Sequence, residues 1–542
     1  MLLSLPSHAH YLSAFLKQCR DSLRSFVALS FISSLIACGG GGGGGGVNAP
    51  DPVAITPPPG NDQNNNQNAN NLDAQLRMLI DEAGLLGDAS FNRTLPSIND
   101  PLAQLGMKLF FSKSLGGDFD AACVSCHHPS LGGADALTLP IGVGAENPDL
   151  LGPGRIHLAD GIPNVPRNSP TIFNLGLWDS GMFWDSRVES FGKEEFANGT
   201  VSDIRTPDVA FGNADPNAGD SLPTAQARFP ITSAEEMRGA TFEAGNDNAA
   251  VRSHLAARLG NYGVGVDELT TNEWLVEFQA GFESTADART LITEQNIAAA
   301  LAAYERSMVF TRNPFAAYVE GDLAALTDEQ KQGAILFFTP ATDGGGNCSQ
   351  CHAGDKFTDE LHHTVAFPQF GHGKGDGIDD DFGRERETSN IEDRYRFRTP
   401  SLLNVAVTAP YGHAGTYESL NQVLQHYDDP VDTVDDFFDD GGACTLNQFE
   451  NITDCATLYP NAATNSEAAL EKLDDERDAG TSEFPNLNLN NNERQQIVAF
   501  LESLTDPCVL DRTCLSPWIP DTSDNGPDGL QLNGIDDDGD LL

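Results

Sequence analysis

Two C-x-x-C-H motifs, CVSCH and CSQCH, constrain this chain more than any other feature of its sequence. They contain Cys123, Cys126 and His127, and Cys348, Cys351 and His352. At this spacing, two thiols can add across the vinyl groups of one haem while the adjacent histidine reaches the iron from one face. Redox or zinc-binding C-x-x-C pairs are the alternative, but a structural zinc ion needs four clustered ligands, and here a histidine directly follows each pair. The sequence therefore predicts two covalently bound c-type haems, with His127 and His352 as proximal ligands.

A helical pattern of apolar residues leads into each motif. It covers PLAQLGMKLFF (101–111) before the first motif and TDEQKQGAILFF (327–338) before the second. The same periodicity marks further stretches at 72–87, 293–310, 419–427 and 491–504, whereas strand signals are sparse. Because helix, loop and C-x-x-C-H recur as one unit, we predict a mainly α fold of two cytochrome c-like haem domains with long loops.

The chain is long enough, at 542 residues, for two or three domains. The predicted boundaries are a lipoprotein-type signal peptide over 1–38, a Gly/Asn/Pro-rich linker over 39–75, an N-terminal haem domain over 76–310, a C-terminal haem domain over 311–515 and an acidic tail over 516–542. The tail mixes Asp, Asn and Gly as calcium loops do, but it lacks the bidentate Glu that ends an EF-hand loop. We therefore expect this acidic tail to be disordered.

The N-terminal region has the layout of a secretion signal. Three basic residues between positions 17 and 24 precede the apolar run FVALSFISSLIA, which ends before Cys38 and is short for a membrane span. LIAC (35–38) resembles a bacterial lipoprotein box, whose cysteine is lipidated; an ordinary signal peptide cut elsewhere is the alternative. The glycine run at 39–46 favours the lipidated form, because an anchor needs a flexible tether. We expect a periplasmic protein of a Gram-negative bacterium, held by a lipid anchor to a membrane, with the outer membrane favoured.

Cysteine use outside the haem motifs agrees with an oxidising compartment. Cys444 with Cys455 and Cys508 with Cys514 are close pairs in the sequence. Such pairs bridge readily outside the cytosol, so we predict two disulfides.

Acidic residues dominate the composition, with 79 Asp and Glu against 31 Lys and Arg and a net charge of −48. This balance argues against nucleic acid as a partner, and it could steer a cationic redox protein toward the chain. An acidic surface suited to salty surroundings is the simpler explanation of the same charge.

Several stretches carry a more specific pattern. They are LFFSKSLGGDFDAACVSCHHP (109–129), RNSPTIFN (167–174), MFWDSR (182–187), ARFPITSAEEM (227–237), CSQCHAGDKFTD (348–359) and RTPSLLNVAVTAPYGHAGTYESL (398–420). Together they resemble the bacterial di-haem cytochrome c peroxidase family, which includes the MauG-type enzymes, over most of residues 76–505.

The resemblance implies a peroxidatic N-terminal haem domain, an electron-transfer C-terminal haem domain and a calcium ion between the haems. The usual reaction of the family reduces hydrogen peroxide to water with electrons from a small cytochrome c or a blue-copper protein. MauG-type members instead store two oxidising equivalents on the haems and oxidise a tryptophan-bearing protein. A homodimer is compatible with the family.

The first haem is expected to keep one face open to peroxide. A haem that only carries electrons is usually closed on both faces, often by His and Met, and neither Met107 nor Met182 is a plausible partner near CVSCH. The resemblance offers Glu236 as the carboxyl that moves a proton between the peroxide oxygens, and Gln226 as a residue of the same pocket. A carboxyl in such a pocket would have a raised pKa. Without the resemblance, Glu236 would be taken for a solvated carboxylate at a helix start.

Two histidines near the first motif have competing explanations. His157 could be the histidine that closes the first haem in many members, although its spacing from Asn168 does not match, and a hydrogen-bonded loop histidine is an equal alternative. His128 directly follows the motif and is expected to be exposed to solvent.

The second haem has a distinctive candidate ligand. His413 matches a family histidine near this haem, and the other axial ligand of the family lies fourteen residues further on, at Tyr427. This ligand is methionine in the peroxidases and tyrosine in MauG-type enzymes; a phenolate stabilises ferric and higher iron, whereas a thioether raises the potential. His426 is a local rival, because adjacent helical residues point to different sides, and a buried core aromatic is the other alternative for Tyr427.

Further residues match positions between the haems. Trp184 matches the tryptophan thought to relay electrons; otherwise it would be a core aromatic. Asn168, Thr408 and Pro410 match the calcium position, the last two through backbone oxygens, with ordinary turn chemistry as the alternative. The chain departs from the family in an insertion over about 190–222, which we expect at the edge of the peroxide pocket.

The function predicted from these residues is that of a di-haem peroxidase. A MauG-like oxidase of a protein or organic substrate is the alternative among enzymes, and Tyr427 favours it. A non-catalytic di-haem electron carrier or sensor is the alternative from another class, and it requires both haems to be closed by side chains.

Overall fold

Helices dominate the secondary structure, as the apolar periodicity predicts. The structure, a computed structural model, describes residues 62–542, so the predicted signal peptide, the lipoprotein box and the glycine run lie outside the described residues. The α-helices are α1 Asp62–Ala83, α2 Pro101–Phe111, α3 Leu222–Gln226, α4 Asn248–Gly260, α5 Trp274–Gly281, α6 Ala288–Leu291, α7 Glu294–Ser307, α8 Pro314–Glu320, α9 Asp328–Phe338, α10 Glu385–Thr388, α11 Leu420–Asp428, α12 Pro430–Asp439, α13 Ala462–Asp478, α14 Asn491–Glu502 and α15 Arg512–Leu515. No helix of this part of the chain is both long enough and apolar enough to cross a bilayer.

The strands are short, and one of their turns positions a site residue. The strands are β1 Gly181–Met182, β2 Val188–Ser190 and β3 Ile204–Arg205, which form one antiparallel sheet, and β4 His362–His363 and β5 Phe397–Arg398, which form another. Met182 pairs with Val188, so FWDSR (183–187) is the loop of a tight hairpin. The backbone oxygen of Trp184 in this loop accepts a hydrogen bond of 2.8 Å from the amide of Arg398. The hairpin loop is therefore tied to the second sheet.

Two packed helix pairs of the same design lead into the two motifs. α2 packs on α7, and α9 packs on α14. Gly106 lies so close to α7 that an added Cβ would stand 1.9 Å from the carbonyl oxygen of Ala300, and Gly333 would bring its Cβ to 1.8 Å from that of Gln496. Such approaches are open only to glycine. The repeat predicted from the sequence is therefore confirmed as a repeat of structure.

Segments beside the two helix pairs share one backbone hydrogen-bond acceptor. Asn174 and Asn404 hold equivalent places in RNSPTIFN and RTPSLLN, and both adopt a left-handed backbone conformation. Their side-chain amides both donate to the carbonyl oxygen of Phe310, at 3.2 and 2.9 Å. Their backbone amides donate to the segments that follow α7 and α14, at Met308 and Leu504. These bonds fix the segment that follows each motif against the helix pair that leads into that motif.

The first helix is longer than predicted. α1 begins at Asp62, whereas the sequence suggests a linker to residue 75 and a helix from about Leu72. Asp73 forms an ion pair with Lys331 at 2.8 Å and accepts a hydrogen bond from Tyr318 at 2.9 Å, which anchors α1 on the second half of the chain. Once such packing has paid the cost of nucleation, each added residue gains a helical hydrogen bond, so even Asn and Gln can extend the helix.

The acidic tail is packed, so the prediction that it is disordered is wrong. Leu532 is fully buried, and Asp528 is only 6% exposed. The Asp528 carboxylate accepts hydrogen bonds from Ser112, Ser114 and Trp274, which belong to the first half of the chain. A composition that favours solvation is overridden here by a few buried contacts, because each satisfies polar groups that would otherwise be buried without partners.

Both predicted disulfides are present, joining Cys444 to Cys455 and Cys508 to Cys514. The insertion is likewise held by specific contacts. Its Arg205 forms an ion pair of 2.7 Å with Glu387, and its Asp215 forms one of 2.8 Å with Arg228. The insertion is therefore an ordered part of the fold between the FWDSR loop and α3.

Candidate haem and peroxide site

One cavity of about 360 Å³ receives residues from both halves of the chain. Its walls include the following residues that the sequence predicts for the site: Cys123, Cys126, His127, Asn168, Trp184, Gln226, Glu236, Cys348, Cys351, His352, Thr408, Pro410, His413 and Tyr427. These residues are separated by up to three hundred positions in the chain. The fold therefore gathers the predicted residues around one continuous space.

The thiols of the two motifs fit covalent haem attachment. All four cysteines are free of disulfides, unlike the other cysteines of the described residues. Burial raises the pKa of Cys123 far above its usual range and that of Cys348 to about 12. A neutral sulfur, as a thiol or as the thioether of an attached haem, tolerates such surroundings, because burying an unpaired thiolate is costly.

The proximal histidines are oriented for metal binding. The Nδ1 atom of His127 lies 3.2 Å from the carbonyl oxygen of Gly133, and that of His352 lies 3.2 Å from the carbonyl oxygen of Phe357. A carbonyl oxygen can only accept, so Nδ1 carries the proton in both rings, and Nε2 is left as the ligand atom. Burial lowers the pKa of His127 to about 4, which keeps the imidazole neutral as metal binding requires. Thiols, imidazoles and the shared cavity thus fit two c-type haems.

A side-chain amide and a carboxyl line another part of the cavity. Gln226 ends α3, and Glu236 lies on a π-helical turn, Ala234–Arg238, that starts after the cap residue Ser233. The backbone at Gly142 passes so close beneath this turn that an added Cβ would stand 2.3 Å from the oxygen of Glu235. The close backbone contact holds the turn in place and aims Glu236 at the cavity.

The carboxyl of Glu236 is suited to proton transfer. Among the described residues, no donor forms a hydrogen bond with its carboxylate oxygens, although the Glu236 side chain lines the cavity. Burial raises the pKa of this carboxyl, while the positive charges of Arg187 and Lys374 oppose the rise. A buried carboxyl with a raised pKa and a free oxygen can both accept and return a proton.

Trp184 lies where the two halves meet. Its Nε1–H donates to the backbone oxygen of Asn168 at 3.0 Å, and the amide of Asn168 donates to the backbone oxygen of His413 at 2.9 Å. The Asn168 side-chain amide donates to Leu137 at 2.9 Å, which leaves its Oδ1 atom as a possible cation ligand. Thr408 also lines the cavity. The tryptophan is therefore held rigidly between the first half and the second.

A buried network of ion pairs supports the FWDSR loop, which carries Trp184. Arg167 pairs with Asp185 at 2.7 Å and with Asp381 at 2.6 Å, and Asp185 also lies 3.4 Å from Arg187. Arg167 keeps the pKa of Asp185 far below its usual range, although burial works in the opposite direction. The network fixes Arg187 at the cavity wall, beside Glu236.

At the second motif, the structure distinguishes the two candidate ligands. The Nε2–H of His426 donates to the carbonyl oxygen of Val365 at 2.7 Å, and its Nδ1 accepts from the hydroxyl of Tyr417 at 2.8 Å. Both ring nitrogens of His426 are therefore occupied, and its side chain does not line the cavity. The Tyr427 side chain does line it, and its hydroxyl has no hydrogen-bond partner among the described residues.

The tyrosine needs a cation to ionise. Burial raises the pKa of Tyr427 far above its usual range, so the hydroxyl stays neutral unless a metal ion is its partner. His413, the family histidine nearby, stacks on Phe397 with ring centroids 3.9 Å apart, and its Nε2 lies 3.4 Å from Oε1 of Gln369. It therefore lines the cavity as a packed side chain.

Two other histidines lie away from the cavity. His157 is not among the residues that line it; its Nδ1 lies 3.3 Å from Asp160 within its own loop. His128 is only 1% exposed and packs against Phe111, so the prediction that it is exposed is wrong. The tail covers it at Gly534, a contact between distant segments that no local pattern signals.

Three cavity residues escape the sequence analysis. Met237 places its sulfur 4.0 Å from that of Cys123, at the attachment edge of the first haem site. Arg187 and Lys374 line the cavity with Glu236. Met237 and Arg187 lie inside the quoted motifs and could have been noticed there, whereas the GKG sequence around Lys374 gives no such signal.

Comparisons with known proteins find similarity to one family of enzymes. Residues 100–324 match the sequence profile of the di-haem cytochrome c peroxidase family. The methylamine utilization protein MauG of Methylorubrum extorquens is 28% identical over 323 residues, which cover 60% of this chain and 67% of that protein. The cytochrome c551 peroxidase of Pseudomonas aeruginosa is 28% identical over 330 residues, which cover 60% of this chain and 71% of that protein. A solved structure of a MauG-like protein associated with microbial copper homeostasis aligns with a TM-score of 0.47 at 20% identity, over 78% of this chain and 96% of that chain.

Proposed function

Since this chain belongs to the di-haem cytochrome c peroxidase family, we propose that it is a peroxidase that reduces hydrogen peroxide to water with electrons from a small redox protein. The single observation that carries the proposal is the shared cavity, which joins both haem motifs to a carboxyl without a hydrogen-bond partner. A protein that only carries electrons has no use for such a carboxyl at a haem site.

When bound, the two haems supply the electron transfer and the iron at which peroxide is reduced. His127 and His352 would hold the irons through Nε2, and Gln226 would orient peroxide through its side-chain amide. The carboxyl of Glu236 takes a proton from one peroxide oxygen and returns it to the other as the O–O bond breaks. Two electrons and two further protons complete the formation of two water molecules.

Trp184 couples the two haem sites in this proposal. Its ring lines the common cavity, and its hydrogen bond to Asn168 fixes its orientation. We further propose that calcium binds at Asn168, Thr408 and Pro410, because side-chain and backbone oxygens there suit a hard cation. The ion would stabilise the region in which both halves contact Trp184.

A MauG-like oxidase is the second candidate, and Tyr427 favours it. Since both nitrogens of His426 are engaged elsewhere, we propose that Tyr427 would bind the iron of the second haem. A tyrosinate favours higher oxidation states of iron, which suits storage of oxidising equivalents for a protein or organic substrate. The two functions separate in one assay. A peroxidase consumes two reduced donor cytochromes per peroxide, whereas an oxidase holds the two equivalents for minutes when no substrate is present.

The cellular setting remains a proposal. We propose a periplasmic location with a lipid anchor, probed by the fate of Cys38, and a donor that is a small cytochrome c or a blue-copper protein. The net charge of −48 would draw a cationic donor to the surface. A homodimer also stays a prediction.

The function is tested on protein produced with a haem-attachment system. We expect two haems per chain, a ferric first haem that reacts with hydrogen peroxide within seconds, and turnover with a reduced cytochrome. Glu236→Gln should slow O–O cleavage by about 10²-fold or more while peroxide still binds, because only proton transfer is lost. Glu235→Gln is the matched control, since this exposed neighbour does not line the cavity. Protein without haem, or with both irons closed by side chains, would overturn the proposal.

A further inference from the structure

Lys374 is a cavity residue that the peroxidase proposal does not use. Among the described residues, it is the only lysine whose side chain lines the cavity. It belongs to the second half of the chain, within GHGKGDG (371–377), yet it lies near the carboxyl of Glu236 in the first half. A loop of one half therefore contributes a cation to the peroxide pocket of the other.

The loop holds this lysine in a defined place. Gly373 and Gly375, which flank it, have φ values of 53° and 76°, a region that favours glycine. The amide of Lys374 donates to the oxygen of Asp380 at 3.0 Å, and its carbonyl oxygen accepts from Arg386 at 3.0 Å. Because the backbone is bonded on both sides, the direction of the side chain is set by the fold.

The ammonium group of Lys374 has no ion-pair partner among the described residues. Asp185 is near, but it already pairs with Arg167 and Arg187. The remaining acidic neighbour is Glu236, whose carboxylate does not come within ion-pair distance of the ammonium group. A half-buried cation without a counter-ion is unfavourable unless a negative charge arises beside it. In this pocket, the group that gains negative charge is the oxygen leaving the peroxide.

We propose that Lys374 is a further catalytic residue of the peroxide site, whose ammonium group contacts the leaving oxygen and stabilises its negative charge. The inference rests on the proposed function. Glu236 removes a proton from one oxygen, the O–O bond breaks with its electron pair on the other oxygen, and that oxygen takes the proton and leaves as water. Two electrons from the redox donor and two protons convert the remaining oxygen to a second water. Lys374 keeps its proton throughout.

The first test measures anion binding, which needs no turnover. Azide is an anionic ligand of ferric haem, and its Kd is read from the absorbance of the holoprotein. Lys374→Met should weaken azide binding about tenfold, and Lys374→Arg should restore it, because the charge near the iron is what differs. Lys472→Met is the matched control, since Lys472 lies on α13 in ion pairs with Glu392 and Glu476, away from the cavity.

The pH profile adds a readout that a purely structural role would not change. Burial, then the charges of Arg187 and Arg167, lowers the pKa of Lys374 to about 8, while Glu236 and Asp185 raise it. Azide affinity of the wild-type protein should therefore fall as the pH rises through about 8, when the ammonium loses its proton. This step should be absent in Lys374→Met.

The second test is the rate of reaction with hydrogen peroxide. Loss of one charged group that stabilises a leaving oxygen should lower the rate by about 10²-fold, with Lys374→Arg close to wild type. If Lys374→Met matches wild type within twofold in both tests, the inference is wrong. If even the wild type fails to react with peroxide, the proposed function is wrong, and azide binding alone decides whether Lys374 serves an anion. Haem content is measured for each variant, and Lys374→Gln takes the place of Lys374→Met if the latter loses haem.

Discussion

His426 and Tyr427, two adjacent residues that could each bind a haem iron, have opposite environments in this protein. They are adjacent on α11, so their side chains leave the helix about 100° apart. His426 is fully buried and bonded at both nitrogens, whereas Tyr427 borders the cavity with a hydroxyl that has no partner among the described residues. The choice of ligand for the second haem therefore depends on helix orientation.

Replacing Tyr427 tests its ligation directly. Tyr427→Met should raise the reduction potential of the second haem by on the order of 100 mV, because a thioether stabilises ferrous iron where a phenolate stabilises ferric iron. The potential is measured by redox titration followed by absorbance. Tyr417→Phe is the control, since Tyr417 donates to His426 and does not line the cavity, and it should leave the potential nearly unchanged. An unchanged potential in Tyr427→Met would remove Tyr427 from the coordination sphere.

At the scale of elements, two similar helix pairs, α2 with α7 and α9 with α14, explain how one arrangement of helices can serve two haem motifs. In each, a glycine lets two helices approach backbone to backbone, and the chain then turns into C-x-x-C-H. Asn174 and Asn404 tie the segments that follow to one carbonyl oxygen. The helices of the two pairs can be predicted from periodicity in the sequence. The hydrogen bonds that both asparagines donate to the carbonyl oxygen of Phe310 cannot.

The close helix–helix contacts predict that the stability of both helix pairs is equally sensitive to replacement of their glycines. Gly333→Ala and Gly106→Ala should each lower the free energy of unfolding by about 1–3 kcal/mol or more, because the added methyl group overlaps a backbone oxygen of the facing helix. This loss would appear despite the higher helix propensity of alanine. Unfolding by denaturant of the holoprotein provides the measurement. Glu329→Ala, an exposed position on α9, serves as control; stability of the glycine variants equal to this control would contradict the close packing.

At the scale of the whole molecule, distant segments complete the first half of the chain. The tail reaches α2 and α5 through Asp528, and the glycine-rich loop of the second half brings Lys374 to Glu236. Both segments are polar and rich in glycine or aspartate, so their composition alone suggests solvated loops. Their contacts involve residues more than a hundred positions away, which is why local patterns do not indicate them.

Removing the anchor of the tail should destabilise the fold. Asp528→Ala leaves the buried donors Ser112, Ser114 and Trp274 without their acceptor, which should lower the free energy of unfolding by about 2–4 kcal/mol. Asp528→Asn keeps one acceptor oxygen and should lose less. Denaturant unfolding, with limited proteolysis of the tail as a second readout, measures both. If Asp528→Ala is as stable and as protease-resistant as the wild type, the tail does not depend on this contact.

The sequence by itself determined the two haem motifs, the helices before and after them, the two disulfides and the resemblance to a family. These features depend on short spacings, such as C-x-x-C-H, or on periodicity within one helix, and both are preserved however the rest of the chain folds. Only the tertiary structure decided that Tyr427 rather than His426 borders the cavity, that His128 is buried and His157 lies outside, that the tail is packed, and that Lys374 stands beside Glu236. Each of these outcomes depends on which surfaces meet across long separations in the chain, and that is set by the packing of the whole molecule.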